Sequence, residues 1–165
     1  MSDGWKTRAL FHININVSNF ERSIAFYKQL GFSLLRNHDG VEWPESTGTG
    51  IALPGAQGRA CLMMLGDDPR TSTRLDLIEW TQPISPPASP PQANALGVPR
   101  LALWTSNVQQ AYEELQSTGV EFISEPIGGT PEHGVANMVC CRDPDGLLIE
   151  LIEFLPGAGE TQSDH

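Results

Sequence analysis

A chain of 165 residues, 39% of them hydrophobic, is long enough to bury one core or two small ones in tandem, which excludes a disordered chain. Twenty acidic residues against ten basic ones give a net charge of −10 with no basic run, which excludes a nucleic-acid partner gripped through its phosphates. No stretch approaches the roughly 18 apolar residues of a membrane span, and no basic segment followed by an apolar one opens the chain, so a cytoplasmic protein without a membrane partner is expected.

Residues 9–17 alternate with period two and predict a strand, with Leu10, His12, Asn14 and Asn16 on one face and Phe11, Ile13, Ile15 and Val17 on the other. Ser18 and Asn19 then cap a helix over residues 19–30, whose apolar spacing runs through Ile24, Phe26 or Tyr27, and Leu30 before Gly31 stops it. Phe32 to Leu35 begins a second strand. Residues 37–59 hold five glycines and two prolines and predict a loop or irregular hairpin suited to closing over a pocket. Residues 60–65 and 73–80 read as strands joined by a turn at residues 66–69, and the second places Asp76, Ile78 and Trp80 on one face.

Five prolines in residues 81–97 exclude a helix or a central strand there, and that stretch reads as a linker. The pattern then restarts: a strand over residues 98–105, a helix over 107–118 capped at Ser106 or Asn107, a stop at Gly119 and a strand from Val120 to Ile123. His133 lies in a glycine-rich loop before a late strand. Asp143-Pro144-Asp145-Gly146 forms a tight turn in which Pro144 pre-sets φ, Asp145 bonds its own backbone and Gly146 takes positive φ. The strand that follows, residues 147–154, puts Leu148, Glu150, Ile152 and Phe154 on one face and Glu153 on the other, where solvent is the simplest account of Glu153 and its counterpart Glu79. Glu150, in mid-strand among apolar residues, demands a partner. Cys61, Cys140 and Cys141 lack metal or disulfide spacing and read as buried thiols.

Residues 11–19 match residues 99–107 without a gap, and residues 75–80 match 149–154. The chain is therefore a duplicated βαβββ unit, divided as a first module over residues 1–80, the linker over 81–97, a second module over 98–156 and an acidic tail over 157–165. The duplication pairs His12 with Arg100 and Asp76 with Glu150. An imidazole and two carboxylates make a plausible divalent-metal site, although the spacing forms no compact metal motif.

The opening residues 12–32 and the closing residues 142–153, with these four matched positions, resemble the vicinal oxygen chelate superfamily of glyoxalases, bleomycin resistance proteins and extradiol dioxygenases. The resemblance spans nearly the whole chain. It implies an α+β fold of two tandem βαβββ modules whose curled mixed sheets enclose a pocket, a homodimer, and metal ligands from the first and last strands: His12, Asp76, Arg100 and Glu150. Arg100 departs from the pattern, since metal-using members carry His or Gln there and a guanidinium cannot coordinate a cation. Asp76 is one methylene shorter than the usual Glu.

Two function classes follow. In the first, His12, Asp76 and Glu150 hold a divalent cation (Zn, Ni, Mn or Fe) in a lyase or isomerase, with a dioxygenase less supported, while Arg100 and Glu150 act on an oxygen-chelating substrate. In the second, Arg100 pairs with the carboxylates in the metal's place and the protein binds or sequesters a small ligand. Asn14, Asn16, Trp104 and His133 are the candidate lining of the substrate pocket in either case. His38 has no context that lifts it above a surface residue.

Overall fold

The computed structural model describes residues 7, 9–68, 71–87, 89 and 92–158; Pro69, Pro90, Pro91, His165 and most of the expected acidic tail lie outside the described residues. Two compact units divide the chain, Met1–Pro87 and Ala88–His165.

In the first unit, β1 (Ile13–Asn16) leads to α1 (Phe20–Gln29), β2 (Ser33–Asn37), a short α2 (Glu45–Gly50), β3 (Gln57–Leu65) and β4 (Thr73–Gln82). The second unit repeats the order as β5 (Arg100–Trp104), α3 (Val108–Ser117), β6 (Ile127–Gly128), β7 (Val135–Arg142) and β8 (Leu148–Phe154). Each unit is one four-stranded mixed sheet, ordered β1-β4-β3-β2 and β5-β8-β7-β6, with the first strand parallel to the last and the other neighbours antiparallel. The two tandem βαβββ units are those expected from the duplication.

Alternation decides the faces. Ile15 and Val17 are buried while Asn14 and Asn16 are exposed, and Leu75 and Leu77 are buried on β4 beside them. Helix α1 covers that apolar face with Phe20, Phe26 and a fully buried Tyr27, whose ring meets Phe32 edge-on at 5.8 Å. Each such apolar side chain contributes about 1.5–3 kcal/mol when taken out of water. The stripe of α1 is centred on Phe20, Ser23 and Tyr27 rather than on Ile24, which sits at its edge. Asn19 and Asn107 cap the two helices by accepting from the backbone N–H of Arg22 and Gln110, both at 2.9 Å.

Several local expectations require correction. The 37–59 stretch contains α2, and β4 continues through Gln82 into the stretch assigned to the linker. No strand forms over Val120 to Ile123; Phe122 makes only an isolated bridge to Cys141, because the chain bends away and regains pairing at Ile127. In the tight turn the Asp143 side chain bonds the backbone: its Oδ1 accepts from the N–H groups of Asp145 (3.0 Å) and Leu147 (2.8 Å), and Gly146 takes φ 94°.

Glu79 and Glu153 are not solvated face residues. The backbone N–H of Phe20 donates to Glu79 Oε2 and that of Val108 donates to Glu153 Oε2, each at 3.0 Å, so the last strand of each unit supplies an acid to the start of its helix. Arg59 also pairs with Glu79 while gripping Glu21 and Asp39, and Asn137 occupies the matching place beside Glu153. Replacing Glu153 with Ala is therefore expected to cost about 1–2 kcal/mol in urea unfolding, with Glu153→Gln costing less because it keeps an acceptor. A loss within about 0.5 kcal/mol, the usual effect of a surface substitution, would contradict the capping role.

Candidate functional site

The pairing registers set the site. On the first sheet Asn14 lies opposite Asp76 and Asn16 opposite Ile78, so the polar face of β1 meets the Asp76-Ile78-Trp80 face of β4. On the second, Arg100 lies opposite Leu148 and Ala102 opposite Glu150. His12 and Asp76 thus belong to one unit, and Arg100 and Glu150 to the other.

His12 Nε2 stands 4.0 Å from Asp76 Oδ2, beyond hydrogen-bond reach, and Asn14 Nδ2 makes a long bond of 3.4 Å to the same oxygen. Burial pushes the Asp76 carboxyl above its usual 3.8, with His12 and His38 pulling the other way. His12 Nδ1 is buried and has no partner among the described residues.

In the second unit Arg100 Nε donates to Glu150 Oε2 at 2.9 Å. The Glu150 side chain is only 8% exposed, whereas that of Arg100 is 50% exposed, so a sequestered acid is neutralised by a cation that still faces water. This is the second of the two arrangements open to Arg100.

A resident divalent cation fits these residues poorly. One of the four matched positions is permanently cationic, and the more buried of the two matched carboxylates is already bonded to it. His12 also lacks the second contact that ordinarily orients a metal-binding imidazole. Within neither unit do three His, Cys, Asp or Glu side chains gather as a ligand group among the described residues. The thiols add nothing to the donor set: burial pushes Cys61 up to about 11 and Cys141 up to about 12, and raises Cys140 as well.

The first unit holds a cavity of about 410 Å³, within the usual range for small ligands. Asn14 and Asn16 line it, together with Trp43, Trp80, Ile78 and His38. Trp43 and His38 come from the 37–59 segment, which folds as a wall of the cavity. Gly48 allows that fold, because a Cβ there would sit 2.4 Å from the Leu53 carbonyl oxygen. His38 was passed over in the sequence because its neighbours carry no chemical pattern. Trp104, in the second unit, packs edge-on against Phe154 at 5.6 Å and is 63% exposed; His133 is exposed in a short 3-10 turn, Pro131–His133.

Asp76 carries a pH signature. Its folded-state pKa is raised, so its ionised form opposes folding; that penalty is absent below the unfolded value near 3.8 and complete above the raised folded value. Asp76→Asn is expected to melt at a higher temperature than the wild type at pH 7 and at the same temperature near pH 3. A lower melting temperature at pH 7 would contradict this account of Asp76.

The site residues lie within a recognisable protein family. Residues 9–151 match the family model for the Glyoxalase/Bleomycin resistance protein/Dioxygenase superfamily. The lactoylglutathione lyase of Neisseria meningitidis serogroup A is 30% identical over 152 residues, which span 90% of this chain and 92% of that protein. The lactoylglutathione lyase of Salmonella typhimurium is 29% identical over 87% of this chain and 91% of its own length. A glyoxalase family protein from Bacillus cereus has the same fold, with a TM-score of 0.79 at 22% identity, covering 94% of this chain and 99% of that one. No helix among the described residues is long and apolar enough to cross a membrane. This chain belongs to the Glyoxalase/Bleomycin resistance protein/Dioxygenase superfamily and carries the two tandem modules of the glyoxalase-like fold.

Proposed function

We propose that this chain is a lyase- or isomerase-type enzyme of the vicinal oxygen chelate family that acts on a small oxygen-bearing molecule, with the Arg100–Glu150 ion pair in the position where a divalent cation would be held. The contact of 2.9 Å between Arg100 Nε and Glu150 Oε2 carries this reading. The relatives named lactoylglutathione lyase support lyase-type chemistry.

In this reading Glu150 is a positioning residue. It fixes one edge of the guanidinium, and the exposed remainder of Arg100 presents planar N–H donors to an oxygen on which negative charge develops, as in an enolate. In its own unit Asp76 is the group assigned to accept a proton from the substrate: burial raises its pKa, and His12 beside it favours the ionised form. Asn14 orients the Asp76 carboxylate. A small-molecule substrate, a homodimer and a cytoplasmic location belong to the same proposal.

A second reading, a protein that binds and sequesters a small ligand without converting it, is favoured by the cavity of about 410 Å³ with its tryptophan wall. Chemical conversion of a bound ligand distinguishes the two.

The metal-independent part is tested by titrating stripped protein with Zn, Mn, Ni and Fe(II). Wild type is expected to show no saturable uptake, and Arg100→His to gain it, because that change removes the cation and adds a ligand. Saturable binding of one ion per chain by wild type would overturn the reading. Arg100→Gln, which leaves Glu150 buried without its counter-ion, is expected to lose about 1–2 kcal/mol of stability, a figure reduced by the exposure of Arg100.

A further inference from the structure

We infer that the cavity of the first unit selects a flat, ring-bearing ligand that is neutral or cationic and excludes anionic conjugates such as those of glutathione. The inference rests on the small-molecule reading above and names its ligand class. Trp43 and Trp80 stand with ring centroids 5.3 Å apart and planes at 73°, forming a corner of two aromatic walls. The Trp80 ring and the Trp43 backbone are held independently of a ligand. Trp80 Nε1 donates to Asn16 Oδ1 at 2.8 Å, and the Trp43 backbone is held through its N–H and its carbonyl by the Gln57 carboxamide, both at 3.0 Å. Rigid aromatic faces favour a planar ring, by offset stacking on one wall and edge contact on the other.

The polar edge is equally defined. An indole N–H can only donate, so Asn16 meets it with its oxygen and keeps its NH₂ for a ligand acceptor such as a carbonyl. Asn14 directs its nitrogen to Asp76 and keeps its oxygen for a ligand hydroxyl or N–H. One donor and one acceptor therefore stand two residues apart on β1, beside the ring corner. Charge completes the specification. Glu42 lines the cavity, Asp76 adjoins Asn14, and among the described residues neither Lys nor Arg lines it. An anion entering there would leave water for apolar walls and two acids, with only the imidazoles of His38 in the lining and His12 beside Asp76 to receive it, whereas a cation would meet ring faces and a carboxylate.

The experiment titrates the full chain with 2-hydroxybenzamide, 2-hydroxybenzoate and S-hexylglutathione, following tryptophan fluorescence and calorimetric heat. Saturable binding of the amide is expected, with both anions at least tenfold weaker. Trp43→Ala is expected to weaken the amide at least tenfold; Trp43→Phe, which keeps an aromatic wall if the Ala variant does not fold, should stay within about threefold of wild type. The inference is overturned if either anion binds as tightly as the amide, if the amide does not bind, or if Trp43→Ala leaves its affinity unchanged. Metal uptake decides the proposed function separately: a wild type that binds zinc yet keeps the ring preference contradicts the metal-independent reading and leaves this inference standing.

Discussion

A carboxylate set in the middle of a buried strand must have a partner, and this requirement ties each unit together. The last strand of each unit carries an acid on both of its faces: Asp76 and Glu79 on β4, Glu150 and Glu153 on β8. On the helix-facing side Glu79 and Glu153 are answered by the first N–H groups of α1 and α3, which fixes where each helix begins against its sheet. On the opposite side the partners come from the first strands and the residue just before β1: Asn14 and His12 beside Asp76, and Arg100 on Glu150. The contacts that satisfy the acids also place the groups available for chemistry.

The two units resolve the same demand differently. In the first, an imidazole at 4.0 Å and a long amide contact leave Asp76 incompletely answered, and burial raises its pKa accordingly. In the second, the Arg100 guanidinium bonds Glu150 Oε2 at 2.9 Å. Divergence at the paired positions His12 and Arg100 thus leaves one unit with an acid incompletely answered and the other with an acid bonded to a guanidinium. The 37–59 segment breaks the symmetry further, since its α2 and Trp43 give the first unit a walled cavity.

The fold was legible because its signals are periodic and doubled. Alternation along residues 11–17, the Asn caps at 19 and 107 and the repeated closing strand each had a counterpart in the other half; the parallel pairing of first with last strands came only from the structure. Irregular segments were not legible: α2, built from Glu45-Ser-Thr-Gly-Thr-Gly, has two glycines and no apolar face, and forms because Gly48 packs closely under the Leu53 carbonyl. Glu79 and Glu153 were visible as a matched pair, yet their role depends on a helix start 59 and 45 residues away in sequence, which alternation cannot reveal. For the site, the sequence singled out Arg100 as the residue that departs from the metal-binding pattern and left open which way it would turn; only side-chain geometry shows it on Glu150.

In the proposed arrangement a guanidinium, rather than a divalent cation, neutralises Glu150. Anomalous diffraction from crystals grown with excess zinc tests it most directly, because it locates an ion independently of affinity in solution. The account predicts no anomalous peak within coordination distance of Glu150 and the Arg100 Nε contact retained. A zinc peak bonded to a Glu150 oxygen, with Arg100 displaced from it, would contradict the account.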